Sequence, residues 1–189
     1  MKPANDVAIK EWAVVCEALA EGQQTVLLRK GGIDEGPEGF QVQHREFWLF
    51  PTNFHQDPEE LVDEAGPLLD RLSLKHTSGH VIRLALYAVV EDVVRITHSE
   101  RLARLEGWHI LAESTVAKRF IYREPGLNVL ALRIYRSRSP VDLADTPYFA
   151  GCRSWVKLPQ ELSTAHLTPI LSDAEFSQRM RKLRAALAT

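Results

Sequence analysis

Chemically capable side chains are concentrated between residues 44 and 56. Polar groups lead into an aromatic run, with a second histidine after it: His44, Arg45, Glu46, Trp48, Phe50 and His55. Imidazole and carboxylate groups bind divalent metals, so His44, Glu46 and His55 are candidate metal ligands. The two histidines flank the ends of one strand, so joint coordination requires the adjoining loops to fold back. Core aromatics with surface histidines are the simpler interpretation of the same residues.

The same region favours a second chemistry, the binding of a nucleic acid or a nucleotide-like ligand. Guanidinium groups neutralise phosphates, and aromatic rings stack on bases. Residues 118–157 add eight basic side chains against three acidic ones. The candidate ligand-binding residues are Arg29, Lys30, His44, Arg45 and Trp48 on one side of the site, and Arg133, Tyr135 and Trp155 on the other.

Several enzyme signatures are absent from the sequence. It has no GxSxG, P-loop, GxGxxG or HExxH motif, and no motif implies a particular cofactor. A restriction-type nuclease places a carboxylate two residues before a lysine to hold Mg²⁺. No lysine of this chain has an acidic residue at that position, which weakens the nuclease interpretation.

Length and charge point to one domain with an uneven charge distribution. The chain has 189 residues, 45% hydrophobic content and a net charge of −2. Residues 1–75 have 7 basic and 14 acidic side chains, a balance of −7, whereas residues 76–189 have 16 and 11, a balance of +5. We therefore predict a single domain over residues 1–189, with an acidic N-terminal lobe and a basic C-terminal lobe as a subdivision.

No segment predicts a membrane span or a secretory signal. The longest uncharged apolar run, residues 84–90, has seven residues, against about 20 needed to cross a bilayer. Residues 1–10 lack an apolar core. These features predict a cytoplasmic protein without membrane contact.

Hydrophobic periodicity predicts an α+β fold with a curved, mainly antiparallel, barrel-like sheet flanked by about three helices. The predicted strands cover residues 11–19, 24–30, 46–52, 80–96, 116–122, 127–137 and 154–158. Helices are predicted near residues 57–72, 97–105 and 172–187, and loops at 31–39 and 140–147. Capping boxes at Thr97–Glu100 and Ser172–Glu175 begin the last two helices, and Gly66-Pro67 kinks or divides the first. Strands follow one another directly instead of alternating with helices, which argues against a doubly wound nucleotide-binding fold.

Two segments carry a resemblance to a known family. The runs LLRKGGIDEG…GFQVQHREFWLFPTNFHQ and RFIYREPGLNVLALRIYR…YFAGCRSWVKL resemble the bacterial and archaeal family called domain of unknown function 1802. That resemblance implies no catalytic residue, but it suggests a link to DNA restriction. The order of elements also resembles the PUA-like barrels of the EVE and ASCH groups, many of which bind RNA or modified bases in a cleft. No ligand residue matches one to one, so this resemblance implies the fold class alone.

Three functions remain open from the sequence. The leading one is a module that binds DNA or RNA, or a nucleotide-like ligand. The second is a metal-dependent nuclease or phosphodiesterase linked to DNA restriction, using His44, Glu46 and His55. The third is a protein-interaction scaffold whose basic half meets an acidic partner, or the acidic half of a second copy in a homodimer.

Overall fold

The computed structural model describes residues 1–30, 44–53, 57–75, 81–151 and 153–188, with side chains at all of them except 74 and 75. The strands are β1 Ala4–Trp12, β2 Val26–Arg29, β3 Glu46–Thr52, β4 Val81–Ile96, β5 Leu127–Ala144, β6 Trp155–Ser163 and β7 Leu167–Pro169. The helices are α1 Ala13–Ala20, α2 Gly66–Lys75, α3 Glu113–Ile121 and α4 Asp173–Ala188. Short 3₁₀ helices cover Pro58–Glu60, Asp63–Ala65, Ser99–Leu105 and Pro147–Phe149.

The strands form one mixed sheet, in the order β2-β5-β4-β3-β1-β6, with β7 paired to β5. Only β1 and β3 run parallel, and the other pairs are antiparallel. Strands from both halves of the sequence are interleaved in this order. The α+β class and the mainly antiparallel sheet are confirmed.

The sheet is strongly curved. β2 and β1 stand four places apart, which in a flat sheet would separate them by about 19 Å. Instead, Arg29 of β2 donates a hydrogen bond of 3.1 Å to the carbonyl of Lys10 in β1. The register of β4 against β5 also shifts between Leu84 and Leu86 and between Val90 and Asp92. Such bulges bend a strand and increase its twist, so β2, at one end of the sheet, approaches β1, next to the other end, in a barrel-like closure.

Side chains on the two faces of the sheet enter two separate cores. Phe47 and Leu49 of β3 lie in the larger core, which the helices cover. Trp48 and Phe50 lie in the second core on the opposite face. The predicted strand over residues 46–52 and its alternation are therefore confirmed.

Two predicted strands are wrong because both segments are helices. Residues 13–20 form α1, and residues 113–121 form α3. Six of the eight α1 side chains are buried, so the segment shows no polar face that would reveal a helical period. In α3, Val116 and Phe120 are the buried pair at a spacing of four, with Lys118 exposed between them.

Other predicted boundaries also change. β5 continues through residue 144, where a loop over residues 140–147 was predicted, because β4 pairs with it as far as Val81. β6 is longer than predicted, and β7 was not predicted. The predicted helix near residues 57–72 is divided at Gly66-Pro67, where α2 begins after two 3₁₀ helices, consistent with the preference of proline for a first helical turn.

The start of α4 follows its predicted capping box. The Ser172 hydroxyl accepts from the Glu175 amide at 3.3 Å, and the Glu175 carboxylate accepts from the Ser172 amide at 2.9 Å. The predicted cap at Thr97 does not form, because the 3₁₀ helix Ser99–Leu105 begins after His98 without a side-chain cap. Among the described residues, no helix is long and apolar enough to cross a membrane.

Candidate functional site

A buried ion pair forms where β2, at one end of the sheet, meets β1. Glu11 of β1 is only 4% exposed, and its carboxylate accepts a hydrogen bond of 3.0 Å from Arg29 Nη1. A carboxylate this deeply buried requires a charged partner. We call the group of Glu11, Trp12, Arg29 and Arg119 the seam cluster, because it lies at this contact between β2 and β1.

Arg119 of α3 adds a second guanidinium to the seam cluster. Its guanidinium carbon lies 4.7 Å from the centre of the Trp12 ring, and its Nη1 donates to the Leu28 carbonyl at 3.1 Å. Burial lowers the pKa of Arg119 from its ordinary value; the charge of Glu11 opposes this shift, and that of Arg29 adds to it. The charge of Glu60, like that of Glu11, opposes the lowering. Two guanidinium groups thus lie in one partly enclosed region, where Glu11 pairs with Arg29.

Both arginines keep donors for a ligand. Their hydrogen bonds to the carboxylate and to backbone carbonyls all use Nη1. For the part of the chain that the structure describes, Nη2 and Nε of Arg29 and Arg119 have no hydrogen-bond partner. Guanidinium forks bind phosphate and carboxylate oxygens in pairs, so the seam cluster is chemically suited to an anion.

Lys30 stabilises the end of α3. Its Nζ donates to the carbonyls of Phe120 and Gly126 at 3.1 and 3.0 Å, and to that of Glu124. Burial lowers the pKa of Lys30, while Glu124 opposes that change. Lys30 therefore holds the turn after α3, the helix that supplies Arg119, and its ammonium donors are used within the chain.

His44 and Trp155 come together although 111 positions separate them in the sequence. Their ring centroids are 5.0 Å apart in an edge-on arrangement, and Phe47 lies 5.2 Å from the same indole. Trp155 pairs with Ile9, and Ile9 and Glu11 share one face of β1 at a separation of about 7 Å. Both rings are half-buried, which places a partly exposed aromatic pair beside the seam cluster.

The pKa of His44 is lowered chiefly by burial, with a further contribution from the charge of Lys2 and an opposing one from Asp6. The imidazole is therefore neutral at pH 7. Arg45, the next residue, is exposed, and its side chain pairs with no carboxylate in the described ranges.

The prediction that Trp48 binds a ligand is corrected by the structure. Its side chain is 2% exposed, its indole N–H donates to the Asn5 carbonyl at 3.1 Å, and its ring packs on Tyr87 at 5.0 Å. A base cannot stack on a ring that is enclosed in the core. The periodicity of β3 places this side chain in the second core, away from the seam cluster.

Arg133 and Tyr135 lie elsewhere on β5. Arg133 pairs with Asp173 and packs over the Phe176 ring at 4.8 Å, which connects β5 to the start of α4. Tyr135 pairs with Tyr87 and packs against the second core. The structure does not bring these two residues to the seam cluster, whereas it does bring Trp155 to His44.

The candidate metal ligands have other partners or lie outside the described residues. Burial alone would raise the pKa of Glu46, but hydrogen bonds from the Lys2 amide and the Tyr87 hydroxyl outweigh it and hold the pKa below its ordinary value. His55 lies outside the described residues, as does the predicted loop at 31–39. No group of three potential metal-ligating side chains occurs within the described ranges.

The prediction missed Glu11 as a site residue, and it did not connect Arg119 with Arg29. An acidic residue at the start of the otherwise apolar run EWAVV was the available signal, because a charge in such a run is either exposed or paired. His109 was also missed. Burial, reinforced by the charge of Arg119, lowers its pKa to about 4, and its Nδ1 accepts a hydrogen bond from the Leu111 amide at 3.1 Å.

The family follows from a comparison with family models. The model for "Domain of unknown function (DUF1802)" matches residues 8–182. The chain belongs to this family. The matched region holds all four residues of the seam cluster, together with His44, His109 and Trp155. No functionally curated protein is similar enough in sequence to match.

Solved structures of a bacterial protein show a distant similarity. The crystal structure of ASCH from Zymomonas mobilis is 14% identical, with a TM-score of 0.43, over 94% of this DUF1802 chain and 94% of that one. A serine-to-alanine mutant of the Zymomonas mobilis protein is 14% identical, with a TM-score of 0.45, over 97% and 99% of the two chains. This similarity is too distant to assign a residue role or a ligand.

Proposed function

We propose that this chain binds single-stranded nucleic acid at the seam cluster and the aromatic pair beside it. Arg29 and Arg119 bind one phosphate, Arg45 binds a neighbouring phosphate, and Trp155 stacks on a base whose edge meets His44. The observation that carries the proposal is the set of guanidinium donors on Arg29 and Arg119 that no described residue engages. The metal-dependent nuclease gains no support from the described residues, and we do not propose it.

Electrostatics supports a phosphate at this position. Arg29 and Arg119 are like charges, and the charge of Arg29 lowers the pKa of Arg119, while Glu11 and Glu60 oppose that effect. An anionic oxygen between the two guanidinium groups relieves their repulsion and accepts charge-assisted hydrogen bonds. Contacts to phosphates position a nucleic acid without reading its sequence, so we expect affinity with little base preference.

The aromatic pair supports a nucleic acid over a simple anion. Stacking of a base on an aromatic ring contributes about 1–3 kcal/mol and accepts every base. Trp155 is half-buried, so its exposed ring surface can contact a base while Phe47 packs edge-on against the indole. Bases in a duplex are already stacked on each other, which makes a single strand the better ligand.

Fluorescence anisotropy with labelled single-stranded RNA and DNA, and with the matching duplexes, tests the proposal. We expect Arg29→Lys to weaken single-strand binding at least tenfold, because it keeps the charge facing Glu11 but removes the guanidinium fork. Arg45→Ala should weaken binding about threefold to tenfold by removing one exposed phosphate contact. Circular dichroism melting curves establish that both variants fold.

Arg138→Ala is the matched control, since Arg138 is an exposed arginine on β5. Its affinity should stay within twofold of the wild type. An equal loss of affinity in Arg138→Ala and Arg45→Ala would show that nucleic acid is attracted diffusely to the basic half of the chain. That result would contradict a site at the seam cluster. Absence of binding to every oligonucleotide would overturn the proposed function.

A further inference from the structure

A cleft of about 400 Å³ lies between α4 and the turn that follows the 3₁₀ helix Ser99–Leu105. Gly107 and Trp108 line it on the side of the turn, where the Trp108 amide donates to the Leu105 carbonyl at 3.0 Å. Polar side chains of α4 line the opposite side. Small-molecule sites have volumes of about 300–1,000 Å³, so this cleft has room for one small ligand.

The α4 side of the cleft changes charge along its length. Its lining side chains are Glu175, Gln178, Arg179 and Lys182, at the spacing of three and four residues that shares one face of a helix. With a rise of 1.5 Å per residue, Glu175 and Lys182 are about 10 Å apart along the helix axis. The cleft therefore has a carboxylate towards one end, an ammonium towards the other and an amide between them.

The positive end of the cleft keeps charge that the chain does not neutralise. Within the part of the chain that the structure describes, Lys182 Nζ has no hydrogen-bond or ion-pair partner. Arg179 is half-buried, and its Nη1 and Nη2 donate to the carbonyls of Gly22 and Gln23. These carbonyls fix the guanidinium but carry no net charge, and across the same ranges no carboxylate pairs with Arg179. This end therefore attracts an anionic group.

The other end of the cleft accepts a hydrogen-bond donor. Glu175 Oε2 accepts from the Ser172 hydroxyl at 2.6 Å and from the Ser172 amide at 2.9 Å. These two hydrogen bonds lower the pKa of Glu175, so the carboxylate is ionised at pH 7, and its Oε1 has no partner among the described residues. Trp108 is half-buried and packs against the larger core, which leaves part of its ring for a planar group in the cleft.

We propose that this cleft binds a nucleoside monophosphate whose base carries an exocyclic amino group, such as adenosine monophosphate. The phosphate binds Lys182 in the field of Arg179, the base packs on Trp108, and its amino group donates to Glu175. Such a nucleotide has its negative charge and its amino donor at opposite ends, which matches the change of charge along α4. The site lies on different elements from the seam cluster and does not depend on the function proposed there.

NMR of the tryptophan indole groups tests this site, because Trp108 lines the cleft and lies outside the seam cluster. The experiment adds adenosine monophosphate to the full chain and assigns the indole resonance with Trp108→Phe. We expect the Trp108 Nε1–Hε1 resonance to shift and saturate. Lys182→Gln should weaken binding about tenfold by removing a charged hydrogen bond. Arg181→Gln, at an exposed arginine of the same helix outside the cleft lining, should bind within twofold of the wild type.

Inosine monophosphate tests the carboxylate end of the cleft, because it has a carbonyl oxygen where adenosine monophosphate has the amino group. We expect it to bind at least fivefold more weakly, since its oxygen faces the Glu175 carboxylate. Glu175→Gln should abolish this preference, while the glutamine still accepts from Ser172 as a capping-box residue. Equal binding of the two nucleotides to the wild type would overturn the proposal.

The remaining outcomes separate this site from non-specific attraction and from the seam cluster. An unchanged Trp108 resonance, or an equal loss of affinity in Lys182→Gln and Arg181→Gln, would overturn the proposal. Arg29→Lys should leave the response of Trp108 unchanged, so a failure of nucleic-acid binding at the seam cluster would not be mistaken for a failure here.

Discussion

Glu11→Gln is expected to lower the free energy of unfolding by about 3–5 kcal/mol, the range for removing one partner of a buried ion pair. The glutamine keeps the size of the side chain but removes the charge that faces Arg29 and Arg119. The Glu11 and Arg29 side chains are 3% and 14% exposed, so solvent screens little of the loss. Urea unfolding at pH 7, followed by circular dichroism, measures the change.

Glu21→Gln provides the matched control for this prediction. Glu21 also pairs with an arginine, Arg71, but the two side chains are 37% and 46% exposed. Exposed ion pairs contribute about 1 kcal/mol or less, so the free energy of unfolding of this control should be close to that of the wild type. A loss below 1 kcal/mol in Glu11→Gln would contradict a buried, charge-dependent seam cluster.

Acidification is expected to destabilise the fold through His109. The pKa of His109 is lowered from 6.5 to about 4 in the folded chain, so between these values the unfolded chain binds a proton that the folded chain does not. The contribution of the neutral imidazole is therefore complete above pH 6.5 and is lost as the pH falls towards 4. A shift of this size corresponds to about 3 kcal/mol over the whole window.

His109→Asn isolates this effect from the titration of carboxylates. Asparagine does not titrate, and its side-chain oxygen can still accept the hydrogen bond from the Leu111 amide. Urea unfolding between pH 7.5 and 4.5 should show a smaller loss of stability in this variant than in the wild type. His98→Gln, at an exposed histidine, should follow the wild-type profile. Identical pH profiles of stability for the wild type and His109→Asn would show that His109 does not cause the loss of stability at low pH.

The sequence predicted elements whose pattern depends on one buried face or on a local cap. β3 alternates between two cores and was located correctly, and α4 begins where its Ser172–Glu175 capping box predicts. α1 was misassigned because its side chains are buried almost all round, which leaves no polar face to show a helical period. Local patterns carry no information about such an environment, which depends on what packs around the segment.

The site could be predicted only in part for a related reason. Arg29 and Arg45 were chosen as candidates from their chemistry, but the pairing of Arg29 with Glu11 depends on the closure of the sheet, which joins strands four places apart. The contact between His44 and Trp155 depends on the same closure. Trp48 was chosen for the chemistry of its side chain, while its position on β3 places it in the core. Predicting which residues share a surface therefore requires the topology of the whole sheet.

The salt dependence of single-stranded RNA binding tests the central claim most directly. Each neutralised phosphate releases counterions, which changes log K by about −0.7 per unit of log salt concentration for a single strand. The account predicts a steep negative slope for the wild type and a slope smaller in magnitude by about 0.7 for Arg45→Ala, with Arg138→Ala matching the wild type. A slope near zero in the wild type, or the same slope in Arg45→Ala, would contradict phosphate binding beside the seam cluster.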